Sequence, residues 1–305
     1  MEPSGHKPWL PEFPVDRALA ARLIAALCPA LAGIEPERVG EGWDNDVWRV
    51  GEWAFRFPRR PMGVELIAIE ARVLPALAPR LPVAVPAAEW VADAGPLHPA
   101  PYLGHRFLPG TTGDRAALSA AERARLGPQL ARFLAVLHGI PVAEARAIGV
   151  PDDVFRSDPA RRAQQIGDRL PALRAAGFAA AADAILPWLR EEIRPAREDE
   201  RRLCHGDFYA RHFLVDAARD LCGVIDWGDV CVADPAIDLS IAYALLPPAA
   251  RGAFFAVYGS VDARTHGMAR RYAMHSAVAL AVYSTDVCDA PLRAEAAVAL
   301  QNAVG

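Results

Sequence analysis

Strand-like hydrophobic patterning in this chain is concentrated before residue 108, and helical patterning dominates after it. Short stretches rich in Val, Trp and Phe, punctuated by Gly40, Gly42 and Gly51, read as a β-hairpin with strands over residues 47–50 and 53–57. Residues 17–27 carry a helical rhythm, and Leu66, Ile67, Ile69, Val73, Leu74 and Leu77 recur at helical spacing over 66–77. Pro82 and Pro86 break that pattern before a strand at 87–91, and a last strand at 102–108 closes at Pro109-Gly110. Beyond it, Leu126, Leu130, Phe133, Leu134 and Leu137 share one face of an amphipathic helix over 126–140. Further helices follow over 159–193 and from Pro235 to the C-terminus, interrupted by one β-type island at 202–226.

The fold class is therefore α+β: a small β-rich lobe over residues 1–108 and a large, mostly helical lobe over 109–305. A length of 305 residues suits this division, being long for one core and right for two.

Composition narrows the function by exclusion. A formal net charge of −4 with no basic run argues against nucleic-acid binding. The five cysteines, at 28, 204, 222, 231 and 288, form no C-x-x-C pair and are odd in number, so neither a disulfide framework nor a zinc site is expected. The N-terminus lacks an apolar signal region. The longest apolar runs, such as 277–283, fall far short of the roughly 20 residues that cross a bilayer. The expectation is a soluble, cytoplasmic protein with no membrane partner.

The chemistry concentrates in the β island. His205-Gly206-Asp207-Phe208-Tyr209-Ala210-Arg211-His212 leads into the apolar run Phe213-Leu214-Val215, and Asp226 follows in Val224-Ile225-Asp226-Trp227-Gly228-Asp229. Two carboxylates and an imidazole thus sit at the ends of short apolar strands. Phosphoryl transfer needs this combination: one carboxylate to orient and deprotonate a hydroxyl, and further ligands to hold a divalent cation against phosphates.

These segments resemble the catalytic and metal-binding loops of the aminoglycoside and macrolide phosphotransferases, antibiotic kinases with a bilobal, protein-kinase-like fold. The resemblance extends less sharply over residues 38–258. It implies that Asp207 is the catalytic base and that His212 and Asp226 face the metal. The family usually carries Asn at the position of His212, and the His favours its macrolide branch.

The first lobe fits the same reading. Gly40-Glu41-Gly42-Trp43-Asp44-Asn45 opens the hairpin where a kinase covers the phosphates, with Asn45 in place of a third glycine. Arg56 stands where kinases carry a phosphate-contacting lysine, and Glu70, ahead of Glu65, is its expected ion-pair partner. Arg106 and Phe107 lie in the expected hinge, whose backbone meets the nucleotide base. Asp234 reads as a helix N-cap with Pro235 at the first helical position, and Asp238 as scaffold. His138 reads as a packed or capping residue, and His266 and His275 as too isolated to be ligands. Asp152, Asp153, Glu191, Glu192, Asp286 and Asp289 are candidates for an acidic acceptor lining, each outweighed by a solvated helix face or loop.

The expected activity is transfer of the γ-phosphate of ATP or GTP, with Mg2+ or alternatively Mn2+, to a hydroxyl of a small molecule, which the resemblance implies is an antibiotic, a macrolide or an aminoglycoside. A metabolic kinase for an amino alcohol or sugar is the alternative within the enzyme class. A nucleotide-binding pseudoenzyme is disfavoured because Asp207 and Asp226 are both present.

Overall fold

A computed structural model describes residues 12–42 and 44–305. Trp43 of the glycine-bearing turn, and residues 1–11, lie outside the described residues. The chain divides into two compact units, Met1–Pro79 with Val85–Leu108, and Arg80–Ala84 with Pro109–Gly305.

The first unit opens with helix α1 (Arg17–Leu27), started by the Asp16 side chain, which accepts from the Leu19 N–H. Three strands follow, β1 (Glu37–Glu41), β2 (Asn45–Val50) and β3 (Trp53–Pro58), then helix α2 (Pro61–Leu77), then β4 (Trp90–Ala92) and β5 (Tyr102–Arg106). The five strands form one antiparallel sheet in the order β1-β2-β3-β5-β4. Trp48, Val50, Phe55, Phe57 and Tyr102 from the sheet bury against Ala20, Leu23 and Ile24 of α1. Tyr102 also ties the helix to the sheet by donating from its hydroxyl to the Leu23 carbonyl at 2.9 Å.

The expected hairpin is β2–β3. Three details differ from the sequence reading. The edge strand β1 was not anticipated, because charged Glu37 and Arg38 hide an alternation that an edge strand needs only weakly. The expected strand at 87–91 lies three residues later, at the opposite edge. Helix α2 starts at Pro61 rather than 66, since proline at the first helical position forgoes an N–H that has no intrahelical partner.

The second unit carries β6 (Thr111–Thr112), α3 (Ala120–His138), α4 (Val142–Ala147), α5 (Pro159–Ala175) and α6 (Ala179–Leu189). The β island follows as β7 (Arg202–Cys204), β8 (Phe213–Val215), β9 (Leu221–Val224) and β10 (Cys231–Ala233). The chain ends in α7 (Ala236–Leu239), α8 (Ile241–Ala244), α9 (Arg251–Tyr258), α10 (Ala263–Asp286) and α11 (Ala290–Val304). Ser119 and Glu122 form a reciprocal capping box at the start of α3. Leu126, Leu130, Phe133, Leu134 and Leu137 are fully buried along its inner face. The long α10 packs against α5 and α11, burying Met268, Tyr272, Met274 and Val278. None of the described helices is long and apolar enough to cross a membrane.

The island consists of two small sheets, β7 paired with β10 and a β6-β8-β9 ladder. This places the loop after β7, the loop after β9 and the segment before β10 side by side.

Candidate active site

The loop after β7 turns sharply at Gly206, whose φ is +85°. A Cβ there would lie 2.1 Å from the Asp229 carbonyl oxygen, so both the backbone conformation and the close approach require glycine. The turn is held from below by Asp238 of α7. Its Oδ2 accepts the His205 N–H at 2.7 Å and its Oδ1 accepts the Gly206 N–H at 2.9 Å. His138, at the end of α3, donates from Nε2 to Oδ2 at 3.1 Å and receives the Tyr258 hydroxyl at Nδ1 at 2.7 Å. His205 packs against Trp227, with ring centroids 4.8 Å apart, and donates to the Ile225 carbonyl at 3.0 Å. The loops bearing Asp207 and Asp226 are thereby joined through one buried imidazole.

His212 completes the join. Its backbone carbonyl accepts the Ile225 N–H at 2.9 Å, and its Nδ1–H donates to the Asp207 carbonyl at 2.8 Å. That bond sets the tautomer and aims Nε2 at Asp226 Oδ2, 3.2 Å away. The Asp207 carboxylate lies 3.5 Å from Nδ1 on the other side. Asp226 adopts a left-handed backbone, φ +64°, which aspartate tolerates better than most residues. Asp207, His212 and Asp226, expected as base and metal ligands, are thus adjacent.

The electrostatics follow from this crowding. Removal from bulk water, reinforced by Asp229 and Asp226 and opposed by His212 and Arg156, raises Asp207 to about 6. Its side chain nonetheless keeps 42% of its surface, so the carboxylate is enclosed yet reachable. Burial pulls His212 down, but the Asp226 charge and hydrogen bond, with Asp207, outweigh it and push the ring up to about 9. Burial lowers His205, leaving it a neutral structural element.

Within the first unit, Arg56 on β3 forms a buried ion pair with Glu70 on α2, and Glu70 rather than Glu65 is the partner. The β1–β2 turn is fastened by the residues following β3. Arg59 donates to the Gly42 carbonyl at 2.8 Å, and Arg60 pairs with Asp44 at 2.8 Å. Gly40 lies within β1 opposite Val47, Gly42 donates to the Asn45 carbonyl at 2.9 Å, and Asn45 is buried at the start of β2, its Oδ1 without a hydrogen-bond partner among the described residues. In the expected hinge, the Arg106 side chain pairs with Glu52 and lies over Trp53, and the Phe107 N–H donates to the Glu52 carbonyl.

Asp238, expected as scaffold, and His138, expected as packed or capping, support the loop bearing Asp207, while Arg156, its neighbour, was not singled out in the sequence. Arg156 forms an ion pair with Asp229 and reaches the Gly206 carbonyl at 3.5 Å. Asp234 accepts the Ala236 N–H, but the helix starts one residue later than expected, and its carboxylate chiefly binds Arg264. His138, Cys204 and Asp238 cluster at a spacing that would suit a metal, but both Asp238 oxygens already accept hydrogen bonds. Of the acidic candidates, Asp152 pairs with Arg146 and Arg201. Asp153 accepts backbone N–H groups of Phe155, Arg156 and Ser157, and Asp289 pairs with Arg115.

A sequence profile of the APH phosphotransferase enzyme family matches residues 35–273. Among curated proteins, none matches the chain significantly. Several solved structures do. The GDP and kanamycin complex of APH(2")-IIia is 23% identical with a TM-score of 0.69, covering 93% of this chain and 97% of the other. The macrolide 2'-phosphotransferase MphH from Brachybacterium faecium, as apoenzyme, is 25% identical with a TM-score of 0.57, covering 94% and 98%. A macrolide 2'-phosphotransferase type I is 23% identical with a TM-score of 0.60, covering 92% and 96%. The shared fold is kinase-like, with an N-terminal antiparallel sheet and a larger helical C-terminal part.

Proposed function

This chain belongs to the phosphotransferase enzyme family, and we propose on that footing that it transfers the γ-phosphoryl group of ATP or GTP to a hydroxyl of an aminoglycoside or macrolide antibiotic. Its class is that of the small-molecule kinases. The observation that carries the reading is the adjacency of Asp207, His212 and Asp226, held by Asp238 and His205.

In this reading Asp207 is the base. A carboxylate raised to about 6 is still ionised at neutral pH and binds a proton more strongly than an ordinary one. It accepts a hydrogen bond from the acceptor hydroxyl and takes the proton as the new O–P bond forms. The electrons of the broken O–P bond leave with the nucleoside diphosphate.

The donor set beside it fits a divalent cation. With Nδ1–H fixed on a carbonyl, the Nε2 lone pair and an Asp226 oxygen face each other at 3.2 Å. That is near the spacing of about 3.0 Å between neighbouring ligands of an octahedral ion with bonds of roughly 2.0–2.1 Å. The Asp226 charge that pushes His212 up to about 9 does so by favouring a proton on Nε2, and a cation would replace that proton. Asp226 and His212 would hold magnesium, or manganese given the imidazole nitrogen, which when bound would neutralise phosphate charge.

On the nucleotide side, Arg56, oriented by Glu70, would meet phosphate oxygens, with the backbone of the turn from Gly40 through Gly42 to Asn45. The backbone of the segment carrying Arg106 and Phe107 would meet the base through groups other than the Phe107 N–H.

The test is a panel of aminoglycosides and macrolides offered with ATP and with GTP, ester formation being read by mass. Asp207→Asn should keep nucleotide affinity and lose about 10²–10⁴ in transfer rate. A loss of less than tenfold would remove Asp207 from the role of base.

A further inference from the structure

The reacting centre holds one carboxylate more than its base and its candidate metal ligand account for. Asp229 follows Asp226 by three residues, and its carbonyl packs so closely on the Gly206 turn that a Cβ there would come within 2.1 Å of it. Asp207, Asp226 and Asp229 therefore converge on one small place. His212 lies between the first two, its Nδ1 3.5 Å from the Asp207 carboxylate and its Nε2 3.2 Å from that of Asp226. Asp229 has a different counter-charge. The Arg156 guanidinium donates to its Oδ1 and lies 3.5 Å from the Gly206 carbonyl.

The backbone at Arg156 is fixed from two directions. The Asp153 carboxylate accepts the N–H groups of Phe155, Arg156 and Ser157 at 3.2, 2.8 and 2.7 Å. The Arg156 carbonyl accepts from Arg162 Nε at 2.9 Å and from the Tyr272 hydroxyl at 2.5 Å. Arg162 lies on α5 and Tyr272 on α10, so two long helices brace one turn. With its backbone held this way, the arginine side chain is placed before any substrate arrives. It spans from the braced turn to the loop bearing Asp207.

The charge of the pair matters because of what phosphoryl transfer brings in. A nucleoside triphosphate adds a polyanion, and negative charge is spread over the oxygens of the group in transit. An unpaired carboxylate at this range would repel both, and a partly enclosed site screens such repulsion less than open water does. Paired, Asp229 and Arg156 present almost no net charge. Both charges are felt at the base, Asp229 pushing the Asp207 carboxyl up and Arg156 pulling it down. The Arg156 and Asp229 side chains keep 38% and 23% of their surface, so the pair borders solvent rather than lying deep in the core.

We infer that Arg156 is a positioning residue for phosphoryl transfer: by neutralising Asp229 and holding it beside the Gly206 turn, it keeps a third carboxylate from repelling the phosphates. This deepens the phosphotransferase reading and rests on it. Charge balance is then the property that matters, more than the shape of the guanidinium. Arg156→Lys keeps the charge as a point cation without the planar fork. Removing both charges together should cost less than removing the cation alone.

Four variants of the full chain separate charge from shape: Arg156→Gln, Asp229→Asn, the two combined, and Arg156→Lys. Each is assayed for transfer with the aminoglycoside and macrolide panel and both nucleotides, and thermal unfolding is read on the same preparations. Arg156→Gln leaves Asp229 uncompensated and should lower kcat roughly 10- to 100-fold. Asp229→Asn should lose less, since the spare cation faces phosphate. The double variant should be at least about fivefold faster than Arg156→Gln, a gain that two independent losses cannot give. A smaller gain overturns the inference, because the contact or the cation itself is then what the reaction needs. Asp229→Asn slower than Arg156→Gln overturns it too, as does Arg156→Gln within about fivefold of wild type. If Arg156→Gln is unfolded at the assay temperature, the decision passes to the double variant and Arg156→Lys. Both within about tenfold of wild type support charge balance, and a larger loss in either overturns it. Transfer by wild type with the wrong order among the variants sinks the inference alone. No transfer by wild type to any acceptor removes the phosphotransferase reading and the inference with it.

Discussion

Asp238→Asn isolates the buried carboxylate that supports the loop bearing Asp207. Its two oxygens divide the work unequally, since Oδ2 accepts from the His205 N–H and from His138, while Oδ1 accepts from the Gly206 N–H. Asparagine can keep its carbonyl oxygen at the Oδ2 position and preserve two of the three bonds. Its NH2 group then faces the Gly206 N–H, donor against donor, in a place fully closed to water. Hydrogen bonds to a charged group are worth about 1.5–3 kcal/mol, and an unmet buried donor costs about 1–3 kcal/mol. The two descriptions overlap, so a total of about 2–4 kcal/mol is expected. If the cost appears as local opening of the turn, amide exchange at Gly206 should accelerate roughly 30- to 900-fold. Because Asp207 is the next residue, phosphoryl transfer should fall more than global stability does. The assays are amide exchange, denaturant unfolding and transfer kinetics on one preparation. Unchanged exchange at Gly206, with stability within about 0.5 kcal/mol of wild type, would refute the role given to Asp238.

Three further outcomes are expected. Asp226→Asn should let the His212 ring fall well below about 9 in an NMR titration and remove metal-dependent nucleotide affinity, and Asp226→Ala should add about 1 kcal/mol of left-handed backbone strain. An unmoved His212 titration would show that Asp226 is not its main partner. Arg56→Ala should destabilise the chain by about 3–5 kcal/mol through the buried pair with Glu70, whereas Arg56→Met with Glu70→Leu should recover stability without recovering nucleotide affinity. Recovery of both would assign the pair to scaffolding alone. His275 has a folded pKa of about 3 against 6.5 unfolded, so the unfolded chain takes the proton first. Its contribution to stability is intact above pH 6.5 and shrinks as pH falls toward 3; His275→Asn should flatten that part of the pH–stability curve, and an unchanged curve would mean Arg162 and Arg169 do not hold the ring neutral.

Local pattern sufficed for much of this molecule. The helix over Arg17–Leu27 follows from its own apolar spacing and cap, and the β2–β3 hairpin from its turn glycine and aromatic strands. The order of His205 through His212 and then Asp226 was legible because those residues lie on short loops bounded by apolar runs. Glu70 was preferred to Glu65 through the resemblance of Glu70-Ala71-Arg72-Val73-Leu74 to the family's helix; helical spacing puts the two on different faces but does not say which face meets Arg56.

What tertiary structure alone decided is every contact that joins distant segments. Asp238 read as scaffold, but nothing in its local pattern named the turn it carries 32 residues earlier, because pairing of β7 with β10 folds the two segments together. Arg156 reaches Asp229 across 73 residues, and His275 meets Arg162 across 113. Such partners leave no periodic trace, since a polar side chain in a loop or on a half-buried helix face has the same local pattern whether it meets water or a distant charge. Hydrophobic spacing specifies an element through its own backbone geometry; which charges then become neighbours depends on sheet register and helix packing, settled only when the whole chain closes.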